Sequence, residues 1–249
     1  MKLEQIAEVV DGIPWMNTRE AAHITSIIMS EKPDAVLELG FKHGVSTCYM
    51  AGALQEAGGG HLTAIDLKSA RDLEPNADQL LDRLGLQEFV TLYYEETSYT
   101  WRLLEMLERD PRPSFDFCYL DGAHNWDTDG FAFFLVDKLL NDGGLLILDD
   151  LNWSYAKSPT LQDEPWVRTM PRVQYEMPQV RKVFDLLVSE HPGYGEFKLD
   201  HGWGFARKLK GGVSARQSRV VTKVIRQREQ VGIGAALLKA ASALKRRIA

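Results

Sequence analysis

The sequence predicts an α/β fold: a doubly wound, mostly parallel seven-stranded sheet with a C-terminal antiparallel hairpin. Three observations carry this expectation. Five short runs, apolar on both faces, alternate with segments of helical period, the pattern of parallel strands covered by helices on each side. Each run has the length of a strand and stops at a glycine, an acid or a turn. After the fifth run the pattern changes, ending in two alternating segments around Asp200–His201–Gly202 that read as a hairpin.

Taken in order, residues 3–10 and 19–31 are expected as helices joined by the loop "DGIPWMN", with Thr18 as N-cap of the second. The strand "AVLELG" (35–40) leads into a helix over 45–56, and the strand "HLTAID" (61–66) into a helix over 77–85. "FVTLYY" (89–94) precedes a helix over 98–108, "FDFCYLD" (115–121) precedes a helix over 129–140, and "GGLLILDD" (143–150) is the fifth strand. Residues 151–177 carry Pro159, Pro165 and Pro171 without a clean period and are expected as a long loop shaping a substrate pocket. A helix over 178–190 follows, and the hairpin strands lie in "GEFKLDHGWGFARKL". The expected organisation is one domain over 1–209, with residues 1–34 as a helical cap, and an extension over 210–249.

At 249 residues and 45% hydrophobic, the chain can bury one good-sized core. The charged fraction of 26% is ordinary for a soluble protein. The apolar runs fall far short of the ~20 residues a membrane span needs, and "MKLEQIAEVVDG" lacks the apolar stretch of a secretion signal. Cys48 and Cys118 each sit in an apolar segment, so two buried free thiols and a reducing cytoplasm are expected.

The net charge of −6 conceals an asymmetry. From Ala206 onward twelve Lys and Arg face one acid, Glu229, giving +11 and leaving −17 on the first 205 residues. Val220, Val221, Val224 and Ile225 cluster between the tail's charges. A basic helical extension of this kind suits an anionic membrane surface, an acidic partner or a second subunit; a solvated extension accounts for it equally, and it carries no specific nucleic-acid signal.

In a sheet of this class, ligands bind outside the carboxyl ends of the strands, near the switch in strand order. Glu38–Gly40, Asp66, Asp121 and Asp149–Asp150 all fall at strand ends, four acidic sites on one rim. In "ELGFKHGVST", Gly40 and Gly44 flank a strand-to-helix turn where a missing side chain lets a ligand approach the backbone, although a tight turn alone also uses glycine. Asp66 suits a ribose diol or, equally, a turn cap. Together these features favour an adenosine-containing cofactor. "DFCYLDGAHNWDTDG" then poses a choice. Asp121 and His124 belong either to a turn that happens to use Asp and Gly, or to a metal and a base held at the mouth of the sheet.

The segments "VLELGFKHGVST", "AIDLK", "FDFCYLDGAH" and "LLNDGGLLILDD", in that order and closed by "GEFKLDHGWGFARK", resemble the class I S-adenosylmethionine-dependent methyltransferases. The resemblance covers residues 10–209, including "GIPWMNTREAAHI", and implies a Rossmann-like fold. It implies that Glu38, Gly40, Gly44 and Ser46 face the methionine portion of the cofactor and that Asp66 holds the ribose. Glu96 or Ser98 lies where the family contacts adenine. The chain departs from the commoner E-x-G-x-G-x-G form at Lys42.

Within the class, "DGAH" with "DD" is similar to metal-dependent O-methyltransferases acting on sugar hydroxyls of natural products, and to their cephalosporin hydroxylase-like relatives. That likeness implies Asp121, Asp149 and Asp150 as Mg²⁺ ligands and His124 as the base. Clustered carboxylates repel one another unless a cation lies between them, and oxygen-only donors suit Mg²⁺ or another hard divalent ion. Such an ion lowers the pKa of a bound hydroxyl, and a histidine near neutrality can take the proton. Any one of these residues alone reads first as a loop cap or an exposed loop histidine; the set on one rim points to the metal.

His43 and His201 are expected as turn residues, and Trp126 and Trp153 as walls for an acceptor or as core. The expected activity is methyl transfer from S-adenosylmethionine to a hydroxyl of a small molecule, with sugars and glycosylated natural products among the acceptors implied. An NAD-dependent oxidoreductase would use the same glycine turn and Asp66 but leaves the acidic rim and closing hairpin unexplained. A non-catalytic methyltransferase-like scaffold acting through its basic tail is the other alternative.

Overall fold

The computed structural model describes residues 3–211. Seven strands, β1 (Ala35–Leu39), β2 (His61–Leu67), β3 (Val90–Glu95), β4 (Phe115–Leu120), β5 (Leu140–Leu148), β6 (Tyr194–Asp200) and β7 (Trp203–Lys208), form one sheet. Their order is β3-β2-β1-β4-β5-β7-β6. The first five run parallel, and β7 is antiparallel to both β5 and β6, as the sequence predicts. The chain moves outward from β1 to β3 and returns to β4 at the other side of β1. The switch point therefore lies between β1 and β4.

Helices cover both faces: α1 (Leu3–Val9), α2 (Thr18–Glu31), α3 (Val45–Ala57), α4 (Ala77–Leu84), α5 (Tyr99–Glu108) and α6 (Trp126–Asp137). Successive strand residues point to opposite faces, so the apolar runs divide between two cores. Val36, Leu62, Ala64, Phe117 and Ile147 pack with Ile6, Ile24, Ile28 and Met50 of α1–α3. Leu37, Leu39, Ile65, Cys118, Leu120 and Leu146 pack with Leu103 of α5 and Phe133 and Val136 of α6. A strand buried on both faces has no polar alternation, which is why these segments read as continuous apolar runs.

The elements depart from expectation in five places. Asn17, not Thr18, caps α2: its side chain accepts from the amides of Arg19 and Glu20, and Glu20 returns a bond to the Asn17 amide. Helix α6 begins three residues before the expected position because Asn125 caps it, accepting from the Thr128 amide at 2.7 Å, and Asp127 and Asp129 complement its first turn. Strand β5 accordingly starts at Leu140 and ends before Asp149.

Residues 151–177 are not a structureless loop. They hold a 3₁₀ turn at Tyr155–Lys157 and two short helices, α7 (Pro165–Arg168) and α8 (Arg172–Glu176), with Tyr155 and Val167 buried. Pro165 stands at the start of α7, where a missing amide proton loses no helical bond. The expected helix over 178–190 is α9 (Gln179–Val183) followed by a π turn through Val188.

Cys48 and Cys118 are free and buried, and no described helix is long and apolar enough to cross a membrane. The basic extension expected over 210–249 lies, beyond Gly211, outside the described residues.

Candidate active site

The first strand-to-helix turn packs directly on the loop after β4. Gly40 has φ +89°, and a Cβ there would lie 2.0 Å from the Asp121 carbonyl oxygen, so only glycine permits the approach. Gly44, also at φ +89°, precedes α3, and a Cβ there would lie 2.6 Å from the Cβ of Ala77. Lys42, where the family form has glycine, adopts φ +49°. It thereby supplies the left-handed backbone that the turn needs.

Asp66 fastens this turn. One carboxylate oxygen accepts from the amides of Phe41 (2.7 Å) and Lys42 (2.6 Å), and the other from Leu67 (2.6 Å). The cap role is thus the one its geometry shows, and a carboxylate with four lone-pair sites keeps one for a further donor. Glu38 is fully buried and accepts from Ser46 Oγ and from Thr47 Oγ1 (2.6 Å), tying β1 to the start of α3. Burial pushes its carboxyl up to about 8 against the pull of the two hydroxyls, with Asp121 and Asp66 adding to the rise.

Beyond β2 and β3, Glu96 pairs with Lys68 at 2.6 Å. Both line a depression of about 400 Å³ together with Leu67, Ser69, Arg71 and Asp72. Ser98 instead caps α5, accepting from the Thr100 amide. His43 is held by the Pro75 carbonyl, with Nδ1 2.6 Å away.

On the other side of the switch point, Asp121, His124 and Asp150 converge, each offering a ligand atom within 4.8 Å of the others. His124 Nε2 lies 3.2 Å from Asp121 and 3.0 Å from Asp150. His124 and Asp150 both adopt left-handed backbone, φ +55° and +53°, a conformation that costs about 1–2 kcal/mol for a residue with a Cβ. Asp149 is oriented differently: its carboxylate accepts from the Tyr119 hydroxyl and from the Asp150 amide. The expected ligand set of three acids with a separate base is therefore arranged as two acids sharing the imidazole, with the third acid held by a buried tyrosine.

The electrostatics match this crowding. Burial raises Asp121 to about 6, partly offset by His124. Asp149 is held well above the carboxylate range by burial and then by Asp121 and Asp150. Burial pulls the His124 imidazole down, but bonds to Asp121 and Asp150 outweigh it and hold the ring well above its ordinary value.

Residues outside the expected set hold the loop in place. Asp129, fully buried in the first turn of α6, accepts from the amides of Ala123 (3.2 Å) and Asn125 (3.0 Å) and from the Tyr99 hydroxyl. The Tyr99 side chain fills the space where Gly122 would carry one, its hydroxyl 2.5 Å and its ring 2.6 Å from a Cβ placed there. The signal for Asp129 was its spacing: four residues after the cap, a first-turn acid can reach back over the preceding loop. Nothing in the local sequence marks Tyr99 or Tyr119, each of which comes from a different element.

Trp153 packs against His124 with the rings tilted by 47° and their centroids 4.9 Å apart, and an aromatic series continues through Tyr155 to Trp166. Trp126 is partly exposed, and its amide is bound by Gln179. Beyond the aromatic series, residues 162–176 enclose a hollow of about 310 Å³ lined by Val167, Met170 and Tyr175, with Arg168 and Arg172 at its polar side.

Residues 37–151 match the family model of a methyltransferase domain, an interval that contains the expected cofactor, metal and base residues from Glu38 to Asp150. No curated protein matches the sequence. Among solved structures, the O-methyltransferase TomG of Streptomyces achromogenes, involved in tomaymycin synthesis and in complex with S-adenosylmethionine, is 18% identical with TM-score 0.59, covering 83% of this chain and 89% of that one. The O-methyltransferase of Bacillus cereus in complex with S-adenosylhomocysteine is 18% identical with TM-score 0.58, covering 85% and 90%. The S-adenosylhomocysteine-bound methyltransferase PaMTH1 of Podospora anserina is 17% identical with TM-score 0.59, covering 83% and 87%. What these proteins share with the chain is the fold. Over residues 37–151 the chain is thus similar to a methyltransferase domain, and its sheet order is that of the fold it shares with these methyltransferases.

Proposed function

We propose that the protein transfers a methyl group from S-adenosylmethionine to a hydroxyl of a small molecule, assisted by a divalent cation at Asp121, Asp149 and Asp150. The observation that carries this reading is the convergence of Asp121, Asp150 and His124 beside the glycine turn. O-methyltransferases among the structural neighbours support the reaction class. A sugar or glycosylated natural product is the acceptor class suggested by the sequence likeness. The two buried free thiols suit a reducing cytoplasm. Neither the matched domain nor the neighbours support the oxidoreductase alternative.

The donor set fits a hard cation: two carboxylates face one point and a third stands adjacent, all crowded enough that burial and mutual repulsion hold Asp121 and Asp149 above the carboxylate range. When bound, the cofactor supplies an electrophilic methyl sulfonium and the cation lowers the pKa of an acceptor hydroxyl. The remaining roles belong to the chain. Gly40 and Gly44 let the turn close on the cofactor, and Glu38, Ser46 and Asp66 hold that turn's shape, with Asp66 keeping a lone pair for the ribose. Glu96 borders the adenine side, while Ser98 acts through the cap of α5. Asp121 and Asp150 hold the His124 ring in its protonated form; once those carboxylates turn to a cation, His124 Nε2 is released to take the acceptor's proton. Tyr99 and Asp129 hold its loop, and Trp153 covers the ring against water. Fixing the partners in this way contributes several kcal/mol to lowering the barrier, about 7–11 in the best-oriented cases.

Calorimetry with S-adenosylhomocysteine and NAD tests the cofactor, and methyl transfer to a panel of catechols, hydroxylated aromatics and glycosides tests the reaction. Binding of S-adenosylhomocysteine alone is expected, with turnover abolished by EDTA and restored by Mg²⁺. Turnover indifferent to EDTA removes the cation from the proposal. For His124→Ala, lost turnover with cofactor binding retained is expected, and unchanged turnover removes the base.

A further inference from the structure

A second group of metal-type donors lies away from the acidic rim. His23, on α2, meets Asp200 and His201, at the turn between β6 and β7, with one ligand atom of each within 4.8 Å of the others. Two independent features distinguish this group from a surface ion pair. His23 Nε2 is buried and has no hydrogen-bond partner, although it points toward Asp200 Oδ2 from 3.9 Å, beyond hydrogen-bond range. A buried imidazole nitrogen left without a partner is costly, and a ligand at that point removes the cost. The ring, 23% exposed, is also flanked by aromatic neighbours, Trp203 at 5.1 Å and Phe205 at 5.9 Å, an apolar side that limits solvent access to a bound ion.

We propose that His23, Asp200 and His201 form a transition-metal site for a borderline divalent ion of the Zn²⁺ class, clamping the terminal hairpin to α2. Two imidazoles and one carboxylate favour Zn²⁺, Co²⁺ or Ni²⁺ over Mg²⁺, whereas the carboxylate-rich rim has the opposite preference. His201 Nδ1 lies 2.7 Å from Asp200 Oδ1, a hydrogen-bond contact that would open by about 0.6–0.8 Å for both atoms to ligate one ion. Nitrogen and oxygen ligands at about 2.0–2.2 Å from a tetrahedral ion stand roughly 3.3–3.5 Å apart. His23 and Asp200 therefore need to draw together by only about half an ångström. Lys198 Nζ, 2.6 Å from Asp200 Oδ2, is the cation that the metal displaces, and its exposed side chain is free to swing into solvent. Three protein ligands leave a fourth position for water. The hairpin turn also reaches the acidic rim, because the Gly202 carbonyl accepts from the amide of Leu151 at 2.9 Å.

The test uses the full, untagged chain stripped of metal with EDTA and dialysed into millimolar Mg²⁺, then titrated with Zn²⁺ by calorimetry. Residues 212–249 contain no His or Cys, so the tail offers no competing soft ligand. One Zn²⁺ per chain is expected, with affinity retained in Asp121→Asn and weakened at least tenfold in His201→Asn, a substitution that keeps a residue tolerant of the left-handed backbone there. His23→Gln is expected to weaken binding equally, and circular dichroism checks its fold because the ring is packed. With Co²⁺ in place of Zn²⁺, a visible absorption band lost in both histidine variants is the spectroscopic counterpart. No binding in Mg²⁺, binding unchanged by His201→Asn, or binding abolished by Asp121→Asn each overturns the proposal.

Discussion

Glu38→Gln isolates one buried carboxyl whose protonation is linked to folding. In the folded chain Glu38 is fully buried and titrates at about 8 against an ordinary value of 4.5. Between those two values the folded state keeps a proton that the unfolded chain has released. The contribution of Glu38 is therefore most favourable below pH 4.5 and is lost progressively as pH rises toward 8. Each unit of displacement is worth about 1.36 kcal/mol, so the penalty grows by about 2–3 kcal/mol between pH 5 and 7 and levels off at about 4–5 kcal/mol above pH 8. Glutamine has nearly the same shape and carries no charge. Its amide oxygen accepts from one of the Ser46 and Thr47 hydroxyls, and its NH₂ donates to the other. Urea denaturation of the ligand-free protein and the variant, at intervals from pH 5 to 8.5, measures the difference directly. The variant is expected to be about equally stable at pH 5 and several kcal/mol more stable at pH 8. A stability difference that stays flat across the series refutes the reasoning, whatever its size.

Other outcomes follow from the same geometry. Gly40→Ala places a Cβ 2.0 Å from the Asp121 carbonyl at a positive φ; it is expected to lower stability by about 2–5 kcal/mol and to weaken S-adenosylhomocysteine binding at least tenfold by calorimetry. Tyr119→Phe removes the hydroxyl donor from the Asp149 carboxylate, leaving a buried acceptor unmet; a loss of about 1–3 kcal/mol in urea denaturation is expected. Tyr99→Phe does the same to Asp129, with a similar loss and reduced turnover but unchanged cofactor affinity. Glu31→Ala breaks the paired contact of Arg207 with α2 (2.7 and 3.0 Å), yet both groups are part-exposed, so a change within about 1 kcal/mol is expected.

The strands were legible because burial on both faces leaves an unbroken apolar run, and each run is local information. Helix α6 was misplaced because its start depends on Asn125 acting as a cap, which a count of apolar period alone passes over. The long segment after Leu151 was read as loop because short helices begun by prolines have no period to detect. At the site, the sequence showed which acids stand at strand ends but not how their side chains divide. Asp149 turns to Tyr119, and Asp121 and Asp150 turn to His124, according to which neighbours the sheet brings beside them. Asp66 was equally a ribose acid or a cap by its position, and the cap geometry emerged only once the amides of Phe41 and Lys42 were placed against it.

By itself, then, the chain's sequence determined the alternation of strand and helix, the parallel sheet with its reversed last strand, and the rim on which the acids gather. These follow from burial and turn chemistry within a few residues of each position. Only the tertiary structure decided which side chains meet: Gly40 against Asp121, Tyr99 against Asp129, His23 beside His201. Those contacts join elements far apart along the chain. A hydrogen bond or a shared cation depends on distances of a few ångströms that only the packed sheet and its helices set.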